Sequence, residues 1–207
     1  MPRILLTAFE PYDSWTTNAS WLALVELTRE LPSDIEITTR LYPVDLGEMK
    51  RKLADDLKAN FDFAFHLGQA PRSSCILLEE VALNVATEGS SIESVEQACA
   101  ICSTGPQAYR TQLPVRDFAH QLRSKGIPAR ASFHAGTYLC NACLYWSNRI
   151  VDDLDLPTKS TFVHIPLETS QVLELDTPLP FMPASMVADA LRMLFQLVTS
   201  ESPQALA

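Results

Sequence analysis

"VRDFAHQLRSKGIPARASF", residues 115 to 133, holds two kinds of structure within nineteen residues. The first twelve read as a helix that stops at Gly126, where a residue without a side chain can adopt the left-handed cap; "IPARASF" then reads as a strand. Outward from there the alternation continues. Downstream, residues 138 to 150 have helical periodicity, "STFVHIP" from 160 reads as a buried strand, and "PASMVADALRMLFQLV" from 183 reads as a closing amphipathic helix that begins near a proline. Upstream, "RILLTAF" at 3 to 9 reads as a strand that empties into a loop, and Asn18 can cap a helix from about 19 to 30. "IEITTRLY" from 35 alternates as a strand does, and "LGEMKRKLADDLKANF" puts Leu46, Met49, Leu53 and Leu57 on one helical face. "FDFAFHLG" is an aromatic-rich strand running into Gly68, whereas "CILLEEVALNV" fits helix or strand, its branched residues leaning weakly to strand. Strands and helices alternating at this spacing predict an α/β fold: a three-layer, open, twisted and largely parallel sheet with helices on both faces.

With 207 residues, 47% of them hydrophobic, the chain can fill one substantial core. We expect a single domain over 1–199, a loop at 176 to 183 and a frayed tail at 200–207. The opening "MPRILLTAFE" lacks the charged start and long apolar core of a signal peptide, and no apolar run approaches the length of a membrane span. The net charge of −9, from 25 acidic and 16 basic residues, argues against nucleic acid or an anionic membrane as partner. Five cysteines cannot all pair within one chain, and without an export signal they read as reduced thiols in the cytoplasm.

In an open α/β sheet the ligand crevice lies beyond the carboxyl ends of the strands. Polar signals gather at four expected strand ends: Glu10 with Tyr12, His66 through Gln69, the turn before Cys140, and His164. Cys140 follows Gly136-Thr137 and opens a predicted helix, where unpaired first-turn amides favour a thiolate. It is equally readable as a packed thiol with Cys143 three residues on, or as part of a metal or redox pair. His164, near the end of a strand before a proline, can serve as a base for a thiol or can be structural; His66 and His134 compete for that role, and His120 reads as surface. The spacings Cys99-x-x-Cys102 and Cys140-x-x-Cys143 match half-sites for zinc, but the stretch between them is too long for a compact ribbon. No GxGxxG, P-loop or HExxH is present, so no nucleotide, metal or other cofactor is expected.

Five segments, in order, carry a resemblance: "LLTAFEPYDSWTTNASW" from 5, "HLGQAPRSSCILLEEVALN" from 66, "STGPQAYRTQLP" from 103, "AGTYLCN" from 135 and "FVHIP" from 162. Together they resemble the pyroglutamyl-peptidase I family of cysteine peptidases, also called pyrrolidone carboxyl peptidases. The resemblance implies a cysteine exopeptidase that removes an amino-terminal pyroglutamyl residue through a thioester. It implies Cys140 as nucleophile, His164 as base and Glu79 as the residue that orients the histidine. Glu79 and not Glu80 is the match when Gly68, Ile76, Val81 and Asn84 are held in register, although sequence alone leaves the two ambiguous, because adjacent side chains on a strand point to opposite faces. Phe9 and Tyr12 match aromatic walls of the substrate site, and Gln69 a backbone contact to the lactam. The implied partner is a pyroglutamyl peptide, with a homo-oligomer allowed.

The chain departs from that pattern where Ala8 replaces a glycine, where Pro71-Arg72 replaces a double glycine, and at Phe133-His134. "VATEGSSIESVEQACAICST", residues 85 to 104, contains no Arg or Lys, although the family carries an arginine shortly after the glutamate motif. Arg72 is the one basic side chain of the glutamate motif that could replace it. Two alternatives follow: a divergent enzyme with altered or weak acyl transfer, and a non-catalytic binding or assembly protein that uses the 85–104 segment as its contact surface. A site blocked by Pro71-Arg72 would favour the latter.

Overall fold

The computed structural model describes residues 1–87, 96–173 and 175–200. Its strands are β1 (Arg3–Phe9), β2 (Glu36–Tyr42), β3 (Phe63–Gln69), β4 (Ile76–Glu79), β5 (Val81–Leu83), β6 (Ala108–Arg110), β7 (Ala129–Ser132) and β8 (Lys159–Ile165). Its helices are α1 (Ala19–Leu27), α2 (Leu46–Leu57), α3 (Val115–Ser124), α4 (Leu139–Asp153), α5 (Thr169–Val172) and α6 (Ala184–Ser200). Among the described residues six strands form one sheet in the order β2-β1-β3-β8-β4-β7, and β5 pairs with β6 in a separate ribbon. β2, β1, β3 and β8 run parallel, β4 is antiparallel to β8, and β7 is parallel to β4. Two strands therefore run against the other four.

Both faces of the sheet are covered. Ile4, Leu6, Phe65, Leu67, Val163 and Ile165 pack with α1, α3 and α6, with the rings of Phe65 and Phe195 5.3 Å apart edge to face. Leu5, Phe9, Ala64 and Phe162 belong to the other face, under Met49, Leu53 and Leu57 of α2 and Leu139, Ala142 and Leu144 of α4. Successive residues of a strand point to opposite faces, so a strand covered on both sides shows no polar alternation. β3 is buried at all seven positions for that reason. β2, at the edge, is buried only at Tyr42.

The sequence signals act locally as anticipated in most places. Asn18 caps α1 by accepting from the Ser20 amide, and Gly126 takes φ 81° just past α3, with the Ile127 amide closing back on the Leu122 carbonyl at 3.0 Å. α1 is shorter than anticipated and ends at Leu27. "CILLEEVALNV" is neither one helix nor one strand: it breaks at Glu80 into β4 and β5, which belong to different sheets. β6 and α5 had no clear periodic signal. α5 is a four-residue turn held by a capping box between Glu168 and Gln171. Ser200 closes α6 and is not part of a frayed tail. Residues 201–207, the rest of the anticipated tail, lie outside the described residues, as do 88–95 within the 85–104 segment. No helix among the described residues is long and apolar enough to cross a membrane.

Candidate active site

The site is built on one row of the sheet. Gly68 of β3 pairs with His164 of β8, and the Thr7–His66 pairing of β1 with β3, carried two residues on, brings Phe9 alongside Gly68. These three residues share the face covered by α4. A Cβ on Gly68 would stand 2.6 Å from the Phe162 ring and 3.2 Å from Cys140 Sγ, so only glycine leaves room for the sulfur to approach the sheet here.

Cys140 is the second residue of α4. Tyr138, at the cap position, accepts no first-turn amide with its side chain, and those amides are the polar end of the helix dipole. Gly136 takes φ 80° in the preceding turn, and both the amide and the hydroxyl of Thr87 donate to the Thr137 carbonyl, at 2.7 and 3.1 Å. The buried Asn141 side chain accepts from the Leu83 amide at 2.8 Å and donates to the Leu83 and Val85 carbonyls at 2.9 Å each. The helix start is thereby fixed to the β5 segment as well as to the sheet.

His164 joins Cys140 to Glu79. Its Nδ1 lies 2.8 Å from Glu79 Oε1, and its other electrostatic partner is Cys140. Burial alone would lower the imidazole pKa; Cys140 and then Glu79 outweigh it and push it up to about 10. Sheet register decides which glutamate reaches the histidine. Leu77 is the direct antiparallel partner of His164, so Glu79, two residues along on the same face, is its diagonal neighbour. Glu79 is fully buried, and its Oε2 has no hydrogen-bond partner among the described residues. Glu80 turns the other way, to Arg110 and Arg116, with Arg116 at 2.8 and 3.0 Å. The Arg116 hydrogen bonds and the nearby Arg110 hold the Glu80 carboxyl below its ordinary range in spite of its burial.

A cavity of about 440 Å³ opens beside the sulfur, lined by Phe9, Tyr12, Asn18, Val44, Gln69, Tyr138 and Cys140 among others. Tyr12 and Gln69 are neighbours in it, and burial, with the adjacent Cys140, pushes the Tyr12 phenol up to about 12. Gln69 Oε1 accepts from the Ala19 amide at 2.8 Å and from Gln171 Nε2 at 2.7 Å; Gln69 Nε2, beside Tyr12, has no acceptor at hydrogen-bond geometry among the described residues. Pro71 and Arg72 do not line this cavity, and Arg72 is exposed.

A family model described as pyroglutamyl peptidase matches residues 2–201. The chain belongs to the pyroglutamyl peptidase family. It is 34% identical over 198 residues to a pyrrolidone-carboxylate peptidase of Clavibacter michiganensis, covering 92% of this chain and 90% of that one. It is 31% identical over 197 residues to one of Brachyspira hyodysenteriae, with 94% and 97% covered. Among solved structures, pyrrolidone carboxyl peptidase from Fervidobacterium islandicum superposes with a TM-score of 0.88 at 31% identity over 96% of this chain and 99% of that one. The peptidase from Thermococcus litoralis gives 0.84 at 27% identity, over 98% and 97%.

Within this member of the family, all six residues anticipated for the site come together: Glu79 hydrogen-bonded to His164, Cys140 interacting with His164, and Phe9, Tyr12 and Gln69 lining the cavity beside Cys140. The competing histidines lie elsewhere. His134 accepts the Gly136 amide at its Nδ1, His120 is exposed on α3, and His66 is buried against Thr7 and Ser147. Cys143 is fully buried beneath Cys140, and burial and Cys140 push its thiol up. Neither Gly68 nor Asn141 takes a role in the site from sequence alone. Gly68 carried a signal as the glycine ending an aromatic strand, whereas a buried Asn after the cysteine carries none until its partners are known.

Proposed function

We propose that this chain is a cysteine exopeptidase that removes an amino-terminal pyroglutamyl residue from peptides. The observation that carries the proposal is His164 held between Glu79 and Cys140 at the edge of a largely apolar cavity. The uncharged lactam ring packs between Phe9 and Tyr12, and the unpartnered Gln69 Nε2 is a donor suited to the ring carbonyl. A side chain that left this buried donor unpaired would be rejected. Cys140 Sγ attacks the pyroglutamyl carbonyl carbon, and the first-turn amides of α4 donate to the developing oxyanion. His164, protonated and oriented by Glu79, gives its proton to the departing amine as the C–N bond breaks. The neutral imidazole then takes a proton from water, the hydroxide attacks the thioester, and pyroglutamate leaves as the thiolate and imidazolium are restored. The five unpaired cysteines suit a reducing cytoplasm.

Pyroglutamyl p-nitroanilide hydrolysis tests this reading. Cys140→Ser should lower turnover by at least about 10³-fold with the fold retained, because a serine hydroxyl is far less acidic than a thiol. Cys143→Ser should retain most activity. Labelling of Cys143 in place of Cys140 by a substrate-like alkylating agent, or an inactive but folded native protein, would reject the assignment.

A further inference from the structure

We infer that His66 is a positioning residue for the Cys140–His164 pair: with Thr7, Ser147 and Ser160 it forms a buried hydrogen-bonded knot that sets the nucleophile's helix in register on the strands carrying the rest of the site. The inference rests on the reading of Cys140 and His164 as the reacting pair.

Four elements meet at this knot, and each also carries a residue of the site. Thr7 lies on β1 two residues before Phe9, His66 on β3 two before Gly68, and Ser160 on β8 four before His164. Ser147 lies on α4 seven residues after Cys140, two turns along the same helical face and about 10 Å down the axis. Thr7 Oγ1 is 2.9 Å from His66 Nδ1, Ser147 Oγ is 3.0 Å from His66 Nε2, and the Ser147 and Ser160 hydroxyls are 2.7 Å apart. Thr111 Oγ1 donates to the Ser160 carbonyl and ties the knot to the segment after β6. Thr7, His66, Ser147 and Ser160 are all buried, three of them with no exposure.

A neutral imidazole has one donor and one acceptor nitrogen, so the hydroxyls on its two sides must be oriented together. Either the protons run from Ser160 through Ser147 and His66 to Thr7, or they run in reverse. Leu5, Ala64 and Phe162 are the apolar neighbours of the knot on this sheet face. An apolar filling would serve cohesion as well, because a satisfied buried hydrogen bond adds little net stability. What the knot supplies is direction: an apolar contact tolerates a small slide of the helix, whereas hydrogen bonds near 3 Å do not. Such a slide would move Cys140 Sγ relative to His164 and Gly68.

The test uses the full chain carrying His66→Leu, Ser147→Ala or His66→Asn. Each is assayed at a temperature at which circular dichroism finds it fully folded. His66→Leu and Ser147→Ala should lower kcat for pyroglutamyl p-nitroanilide about tenfold with KM within about twofold, since small misplacements of reacting groups are costly to rate. Alkylation of Cys140 by iodoacetamide, located by mass spectrometry, should slow in parallel. His66→Asn, which keeps a donor and an acceptor, should recover part of both rates. Native turnover and alkylation in folded Ser147→Ala, or losses that follow only the unfolded fraction, would overturn the inference. If His66→Leu does not fold, Ser147→Ala decides. If the unmutated protein proves inactive on pyroglutamyl amides, the peptidase reading fails, and the alkylation rates still decide the role of the knot.

Discussion

Gly68 has no side chain to contribute, yet the approach of Cys140 Sγ depends on it. A methyl group there would meet the Phe162 ring at 2.6 Å and the sulfur at 3.2 Å, distances that force the ring, the helix or both to move. Gly68→Ala should therefore cost about 1–3 kcal/mol of stability, as overpacking does in a filled core. It should also reduce kcat/KM by more than about tenfold, because the movement is imposed on the nucleophile. Urea unfolding and steady-state kinetics on one preparation check both; unchanged kinetics would mean that the sulfur does not work from this position. The two adjacent glutamates teach the same lesson. Alternation along a strand predicts that Glu79 and Glu80 face opposite ways, but only the pairing of Leu77 with His164 says which one meets the histidine.

At the scale of elements, α4 is the part whose placement matters most. Its start is held to the β5 segment by Asn141, whose side chain takes part in three hydrogen bonds to backbone. Asn141→Ala leaves three part-buried backbone groups, of Leu83 and Val85, without those partners and should cost about 1–3 kcal/mol in chemical denaturation, with a fall in turnover because Cys140 is the preceding residue. A loss below about 0.5 kcal/mol would show that water or a local shift replaces the side chain. The existence of α4 was legible from its apolar periodicity, and its start from Gly136-Thr137. The direction of β4 and β7 was not legible: short strands pair with whichever edge tertiary packing offers, and a parallel and an antiparallel neighbour require the same residue types. The split of "CILLEEVALNV" was hidden for a related reason. Both glutamates are buried, and each is tolerated only through a partner far along the chain, His164 for Glu79, Arg110 and Arg116 for Glu80.

At the scale of the whole molecule, two buried histidines set opposite limits on the pH range of stability. Burial lowers the pKa of His66 to about 3, so between that value and its ordinary 6.5 the unfolded chain binds a proton that the folded one does not. Stability from this group is complete above about pH 6.5 and is lost as pH falls. His164 has the reverse sign. Raised to about 10, it contributes stability that is complete below its ordinary 6.5 and is lost as pH rises through about 10. Thermal unfolding followed from pH 5 to pH 10 should therefore peak near neutrality. His66→Leu should flatten the acid side, and Cys140→Ser, by removing the largest of the influences that raise His164, should flatten the alkaline side. A His66→Leu variant with an unchanged acid limb would show that another group governs it.

The sequence by itself determined the class of the fold, the helix and strand order over most of the chain and the cap residues Asn18 and Gly126; it offered Cys140 and His164 as candidates, which the family resemblance singled out. Those properties follow from neighbours three or four positions apart, or two in a strand, and such neighbours are written consecutively in the chain. The tertiary structure alone decided the strand order and the reversal of β4 and β7, the face on which Glu79 and not Glu80 meets His164, the exposure of Arg72 away from the cavity, and the burial of His66 against Thr7 and Ser147. Each of these depends on residues between about thirty and a hundred positions apart. Their contact is set by which apolar faces bury each other, and no local pattern records that outcome.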